Sequence, residues 1–337
     1  MLISLIGISQ ELYQNEKLVS NIENYEQEII EIETVQYFAN DSIKNPILIS
    51  GTLLTPKTEF NSILIIASGT GKISQNAHNY LTEHLLENNI GVFRFDKKGI
   101  GKSTGNHNDL PQPYIDNIKD IINHLKHKES LNSIKIGALG HSLGGIATIG
   151  AVEKGANLDF LIQWSTPIGK SRELIKYQLK NGIKVYDNNI GGKTIEEKIK
   201  ILDFVHSVID SNIHLGTWDI WKATLKESRK KGISRKKFKN YVTLNFVEIA
   251  KIDNTKAYSK VSIPTLIIVG GKDILVDPKQ SEEIVDQINN KNIEFKNFKN
   301  LNHFMKDKMV SEYSNEIYDI DLSFKTYLTD WINNLEK

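Results

Sequence analysis

Beyond residue 60 the chain alternates short, almost unbroken apolar runs with longer stretches in which apolar residues recur every three or four positions. The short runs lie at 63–67, 92–95, 134–139, 160–164 and 264–269 and are rich in β-branched residues. A strand with one wet face alternates apolar and polar residues, whereas a strand covered on both faces is apolar throughout. These runs therefore predict strands of a parallel sheet between two helix layers. Helical periodicity occupies 77–87, 114–126, 143–153 and 279–288. The last of these follows Asp277-Pro278, a residue favoured at the N-cap and then proline at the first helical position. Strand and helix in this alternation predict right-handed βαβ units and an open α/β sheet.

Two segments depart from the alternation. Runs at 29–38 and 47–54 are β-like and are separated by a turn rich in Asn, Asp, Lys and Pro. They predict an antiparallel pair at one edge of the sheet. Residues 168–259 are mostly helical in pattern and rich in Glu and Lys, with Trp218 and Trp221 three residues apart. That pair is read as packing this segment against the core, with direct lining of the pocket as the alternative. An insertion at the carboxyl end of a strand overlies the place where open α/β sheets bind ligands, so a helical cap is expected here. The expected division is an N-terminal extension and edge strand at 1–44, a core at 45–167 and 260–337, and the cap at 168–259.

The chain has 337 residues, which allows one large domain or two ordinary ones. At 39% hydrophobic and 25% charged residues it can build a core and is not of disordered composition. Forty-two Lys and Arg meet 41 Asp and Glu, so no global polyanion binder and no nucleic-acid partner is expected. The absence of cysteine excludes disulfides, thiolate nucleophiles, iron–sulfur clusters and cysteine-based zinc sites. No run approaches the ~20 apolar residues of a membrane helix, so stable membrane insertion is not expected. The opening apolar run at 1–8 has no Lys or Arg before it and no cleavage pattern after it. It reads as a strand or packed arm, with a degenerate export signal as the alternative and a cytoplasmic location as the default. Oligomeric state has no signal in the sequence.

The chemistry concentrates around Gly140-His141-Ser142-Leu143-Gly144, which follows the 134–139 run and precedes a helical pattern. That is the setting of a nucleophile elbow, where a sharp strand-to-helix turn projects a serine hydroxyl. The alternative is a simple tight glycine turn. A serine needs a base to take its proton, and this architecture orders the partners as Ser, then acid, then His. Asp273 stands in the loop after the 264–269 run and is favoured over Asp277, which is better explained as a helix cap. The run at 293–298 reads as a further strand and is followed by His303, the only histidine after His214. An oxyanion hole needs two backbone N–H groups. Leu143 is the first expected donor and Thr70 the second, with Gly71 next in line within Ser68-Gly69-Thr70-Gly71. His141 is read as a pocket wall, with a second base as the alternative.

These motifs together resemble the α/β-hydrolase superfamily, in particular its bacterial esterase and serine-aminopeptidase-like branch. The resemblance rests on I-L-I-I-A-S-G-T-G at 63–71, Phe95-Asp96-Lys97-Lys98-Gly99-Ile100-Gly101-Lys102-Ser103, the elbow at Ser142, the Asp273 loop and His303. Lys98 stands where the family pattern has arginine. Ser68-Gly69 and Gly71-Lys72 stand where many relatives have H-G and G-P. The resemblance implies an α/β-hydrolase fold and a serine hydrolase with catalytic Ser142, Asp273 and His303, working without metal or cofactor. Its implied substrate is a small or medium carboxylic ester. Amide, peptide or thioester cleavage by the same residues, or a non-catalytic ligand-binding relative, are the alternatives.

Three other patterns are weaker. Residues 96–103 end in G-K-S like a P-loop, but Asp96 replaces the first glycine and a carboxylate there would repel phosphate. His124 and His127 share a helix face without a third ligand in sight. Residues 228–239 hold seven positive charges, read as a solvated cap surface or as a patch that attracts an anionic substrate, a membrane surface or nucleic acid.

Overall fold

The computed structural model of the chain describes residues 16–38, 43–183, 189–307 and 318–335. The apolar run at 1–8 lies outside them. In chain order the elements begin with β1 (Tyr25–Phe38), β2 (Ile43–Pro56), β3 (Ser62–Ala67), α1 (Asn79–Glu87), β4 (Ile90–Phe95) and α2 (Pro111–Lys126). They continue with β5 (Lys135–His141), α3 (Leu143–Glu153), β6 (Phe160–Trp164), α4 (Ser171–Lys180), α5 (Ile195–Ser211) and α6 (Thr217–Lys230). The last are α7 (Leu244–Ala250), α8 (Thr255–Lys260), β7 (Thr265–Gly270), α9 (Pro278–Ile288), β8 (Ile293–Phe298) and α10 (Leu322–Asn334).

The strands form one sheet in the order β1-β2-β4-β3-β5-β6-β7-β8. β1 runs antiparallel to β2, and β2 antiparallel to β4; every later pairing is parallel. The burial pattern explains the two kinds of strand. Ile30, Ile32 and Thr34 of β1 are buried while Glu31 and Glu33 are exposed, the alternation of an edge strand with one wet face. In β3 every residue is buried. Ile63, Ile65 and Ala67 enter one hydrophobic layer and Leu64 and Ile66 the other. Helices α2, α3, α8 and α9 supply the first layer through residues such as Ile118, Ile146, Tyr258 and Val285. Helices α1 and α10 supply the second through Leu81, Leu85, Phe324 and Leu328.

Helices α4 to α7, inserted after β6, have a hydrophobic cluster of their own. It joins Ile175, Leu202, Val205, Ile220, Phe238 and Val247. The two tryptophans of α6 part company, contrary to the expectation that both pack against the core. Trp221 lies against this local cluster, 5.8 Å from the Phe238 ring, whereas Trp218 is 66% exposed. Three residues advance a helix by about 300°, so Trp221 reaches the edge of the buried stripe and Trp218 falls beyond it. No helix among the described residues is long and apolar enough to cross a membrane.

Candidate active site

Strand β5 ends at His141, and α3 begins at Leu143. Ser142 alone makes the turn, with φ 54° and ψ −116°. A non-glycine residue with positive φ outside the left-handed helical well is strained, and such strain persists only where the surroundings enforce it. Here the Ser142 N–H donates to the Trp164 carbonyl at 2.9 Å, and the Ser142 carbonyl accepts from Gly145 N–H at 3.0 Å. The flanking glycines permit the close approach that results. A Cβ on Gly144 would stand 2.0 Å from the Ala67 carbonyl oxygen, and one on Gly140 would stand 2.4 Å from Gly145 Cα. The spacing of the elbow motif is thus a steric requirement of threading α3 against β3.

The carboxylate comes from the loop after β7. Asp273 Oδ1 accepts from the N–H groups of Leu275 at 2.7 Å and Val276 at 2.9 Å. Its Oδ2 lies 2.8 Å from Nδ1 of His303. The Asp273 side chain is fully buried. Asp277 is engaged elsewhere: it caps α9 by accepting from Lys279 N–H at 3.0 Å and Gln280 N–H at 3.2 Å. His303 follows β8, the strand next to β7, and that adjacency brings two residues thirty positions apart into contact. The His303 carbonyl accepts from Trp164 Nε1 at 3.1 Å and meets His141 Nε2 at 3.3 Å. With Nδ1 turned to Asp273, the His303 ring has Nε2 left for the cavity it lines with Ser142.

His141 is buried beneath the site, its ring 4.3 Å from Trp164 and 4.9 Å from His303. Burial and the neighbouring His303 push its pKa well below the ordinary histidine value. A carbonyl can only accept, so Nε2 is the protonated nitrogen of a neutral ring. The arrangement fits a wall and buttress for the His303 backbone.

The loop after β3 shows a device that the sequence did not announce. Lys97, whose side chain is only 4% exposed, donates through Nζ to the carbonyls of Gly69 at 3.0 Å and Gly71 at 3.1 Å, and to Asp109 Oδ1 at 2.7 Å. Asp109 in turn accepts from Gly71 N–H at 3.1–3.2 Å, and Tyr114 Oη donates to the Ser68 carbonyl at 3.0 Å. Burial pushes the Asp109 carboxyl up, but the Lys97 ammonium and the Gly71 N–H outweigh it and hold the group below its usual range. Carbonyls 69 and 71 are therefore drawn to Lys97, and Gly71 N–H is taken. Lys97 was legible only as a member of the 95–103 motif, and Asp109 had no sequence signal. The P-loop look-alike is also accounted for: Asp96 accepts from Gln75 N–H, Gln75 Nε2 and Lys102 N–H at 2.8–3.0 Å. The loop's own carboxylate thus takes donors that a phosphate would need.

Ser142 and His303 open on a cavity of about 380 Å³. Thr70 and Leu143 border it, and its apolar wall includes Ile73, Ile146, Leu275 and Phe304. Leu174 of α4 and Ile249 of α7 bring the inserted helices into that wall. Among the described lining residues there is no Lys or Arg, and Asp109 is the one carboxylate.

A family model for serine aminopeptidases of the S33 group matches residues 58–306, about three quarters of the chain. Among curated proteins, the uncharacterized protein YfhR of Salmonella typhimurium is 30% identical over 97 residues, covering 29% of this chain and 32% of YfhR. YfhR of Escherichia coli K12 is 28% identical over 126 residues, 36% of this chain and 42% of its own. The chain thus spans well under half the length of these relatives. A Pyrococcus furiosus esterase has a TM-score of 0.57 at 15% identity, over 96% of this chain and 98% of that one. A thermophilic esterase from Thermogutta terrifontis, with malate bound, has a TM-score of 0.53 at 15% identity, over 92% and 100%. At such identity the likeness is one of fold, and it agrees with the sheet order and the doubly covered core described above.

Proposed function

Because the chain belongs to the serine aminopeptidase S33 family and has the α/β-hydrolase fold, we propose that it hydrolyses neutral carboxylic esters through an acyl-enzyme on Ser142. The observation that carries this reading is the 2.8 Å bond between Asp273 and His303 at the cavity that Ser142 lines from a strained elbow. In the first step Ser142 Oγ attacks the ester carbonyl carbon and its proton passes to His303 Nε2. Asp273 holds the Nδ1–H tautomer and stabilises the imidazolium. The oxyanion accepts from the N–H groups of Leu143, whose place in the first turn of α3 leaves it without an intrahelical acceptor, and Thr70. Thr70 is preferred over Gly71 because the Gly71 N–H is already given to Asp109. The intermediate collapses, the C–O bond to the alcohol breaks, and His303 returns the proton to the leaving oxygen. Water then repeats the sequence on the acyl-enzyme, releasing the acid.

The inserted helices act as the cap over the site in this reading, since Leu174 and Ile249 complete the apolar wall. The family description raises peptide cleavage as the second reading. An aminopeptidase must hold the substrate's α-ammonium, for which a free carboxylate is the natural partner. Asp109, the one carboxylate among the described lining residues, is bound to Lys97 and Gly71. That favours an uncharged acyl group and an ester.

The test is covalent labelling with a fluorophosphonate followed by turnover on acyl p-nitrophenyl esters and aminoacyl amides. Wild type should label and Ser142→Ala should not, with turnover on esters exceeding that on amides. Equal labelling of both proteins would remove Ser142 as nucleophile, and a preference for aminoacyl amides would overturn the ester assignment.

A further inference from the structure

The segment from α6 to residue 240 carries a charge that the proposed chemistry does not use. Residues 217–240 contain nine Lys or Arg and two acids, a net of +7 in a chain whose formal net charge is +1. The other residues therefore sum to −6, so the positive excess of the chain is concentrated in this segment. Helical spacing of 218, 222, 226 and 229 sets Trp218, Lys222, Lys226 and Arg229 in one stripe. All four are exposed, while Ile220, Thr224 and Ser228 on the opposite side are buried. The basic surface runs on past the helix through Lys230, Lys231, Arg235, Lys236, Lys237 and Lys239, which are also exposed. The two acids of the segment are already engaged, Asp219 with Lys222 at 3.1 Å and Glu227 with Lys230 at 2.7 Å.

We propose that this face of α6 and the basic turn after it dock the protein on an anionic phospholipid surface. Cations at this density provide the attraction to a negatively charged leaflet. Trp218 provides what a purely electrostatic patch lacks. It is a large amphipathic ring, 66% exposed, at one end of the basic stripe, with Lys222 Nζ 5.5 Å from its centroid. Indole rings settle at the level of lipid headgroups, and lysine stems extend along apolar surface while their ammonium groups stay wet. The exposed Ile213, just before α6, adds apolar surface nearby. Nucleic acid would also answer the charge, but it leaves the exposed indole and Ile213 without a role. The same insertion lines the cavity through Leu174 and Ile249, so docking would hold an apolar site beside a reservoir of apolar esters. The contact is peripheral: α6 has fourteen residues, and about twenty apolar ones are needed to span a bilayer.

The experiment is co-sedimentation of the full chain with phosphatidylcholine vesicles that contain or lack phosphatidylglycerol. The protein should pellet with the anionic vesicles only, and about 1 M salt, where the Debye length is about 3 Å, should release it. Tryptophan emission should shift to the blue on the anionic vesicles, and Trp218→Ser should lose most of that shift. Replacing Lys222, Lys226 and Arg229 by Gln should weaken vesicle binding on the order of 100-fold, about fivefold for each cation. These substitutions should leave turnover on a water-soluble ester unchanged, which shows that the variant is folded. Lipid binding is read without turnover, so it stands or falls separately from the ester assignment. Failure to pellet with anionic vesicles, equal binding to neutral ones, or binding that ignores the triple variant would each overturn the proposal. So would tighter binding to duplex DNA or RNA without an emission shift, which would reassign the face to nucleic acid.

Discussion

Replacing Lys97 by Met tests whether a buried cation sets the geometry of the proposed oxyanion loop. The substitution leaves an unbranched side chain one atom shorter and removes three donated hydrogen bonds, to Gly69 O, Gly71 O and Asp109 Oδ1. Two carbonyls lose a charged partner and Asp109 keeps a charge without its counter-ion. Breaking a buried pair costs about 3–5 kcal/mol, and hydrogen bonds to charged groups about 1.5–3 kcal/mol each. Asp109 is 27% exposed and keeps the Gly71 N–H, so solvent recovers part of this and a stability loss of about 2–4 kcal/mol is expected. That leaves a domain of ordinary stability folded. Loss of a whole oxyanion donor lowers kcat by roughly 10²–10³. Tyr114 Oη still anchors Ser68 O, so the loop is loosened rather than lost, and kcat should fall by about 10- to 100-fold. KM should stay within about threefold, because the donors act mainly on the developing oxyanion. Steady-state turnover on a p-nitrophenyl ester and urea unfolding read the two effects separately. The double variant Lys97→Met with Asp109→Asn should recover much of the stability, since no uncompensated carboxylate remains, but not kcat. A Lys97→Met enzyme with kcat within about threefold of wild type, or a double variant that recovers kcat, would refute the argument.

Further outcomes follow from the same geometry. Asp273→Asn should lower kcat by roughly 10⁴ through loss of the correct tautomer while leaving fluorophosphonate-accessible Ser142 in place, read by steady-state kinetics beside slow labelling. Gly144→Ala should destabilise the fold by about 3 kcal/mol or more, because the new Cβ would meet backbone at 2.0 Å; denaturant unfolding measures it. Ile249→Trp should narrow the apolar wall, so kcat/KM for long acyl chains should fall about tenfold or more while acetyl esters are spared. Glu16 is buried against the N-terminus of α1, and desolvation raises its carboxyl to about 7. Its folded pKa exceeds the unfolded value of 4.5, so the folded state binds the extra proton and stability falls as pH rises from about 4.5 to about 7. Glu16→Gln should therefore gain stability relative to wild type across that window, by at most about 3 kcal/mol, in thermal melts at pH 5 and pH 8.

The elbow was legible because its determinants are local. A buried run, two glycines around a serine and a helical period specify strand, turn and helix within twenty residues, and α3 spans the predicted 143–153. The order of Asp273 and His303 was legible for a similar reason, each lying in the loop after an apolar strand. Strand β1 begins four residues before the run at 29–38, because Tyr25–Glu28 carry little apolar signal and are held by pairing with β2. The expectation for Trp218 failed because a three-residue spacing specifies a shared side but not the width of the buried stripe.

Sequence alone determined the core strands after residue 60, the antiparallel edge pair, the helices around 77–87, 114–126, 143–153 and 279–288, and the kinds of reactive group available, since backbone preference and hydrophobic period act over a few neighbouring residues. The tertiary structure decided which groups meet and which are already spent. Only the adjacency of β7 and β8 pairs Asp273 with His303 and leaves Asp277 to its helix. Only the burial of Lys97 between two loops commits Asp109 and the Gly71 N–H. A hydrogen-bonding group in a buried site has room for only a few partners, and those are chosen by distance in space, which no local pattern records.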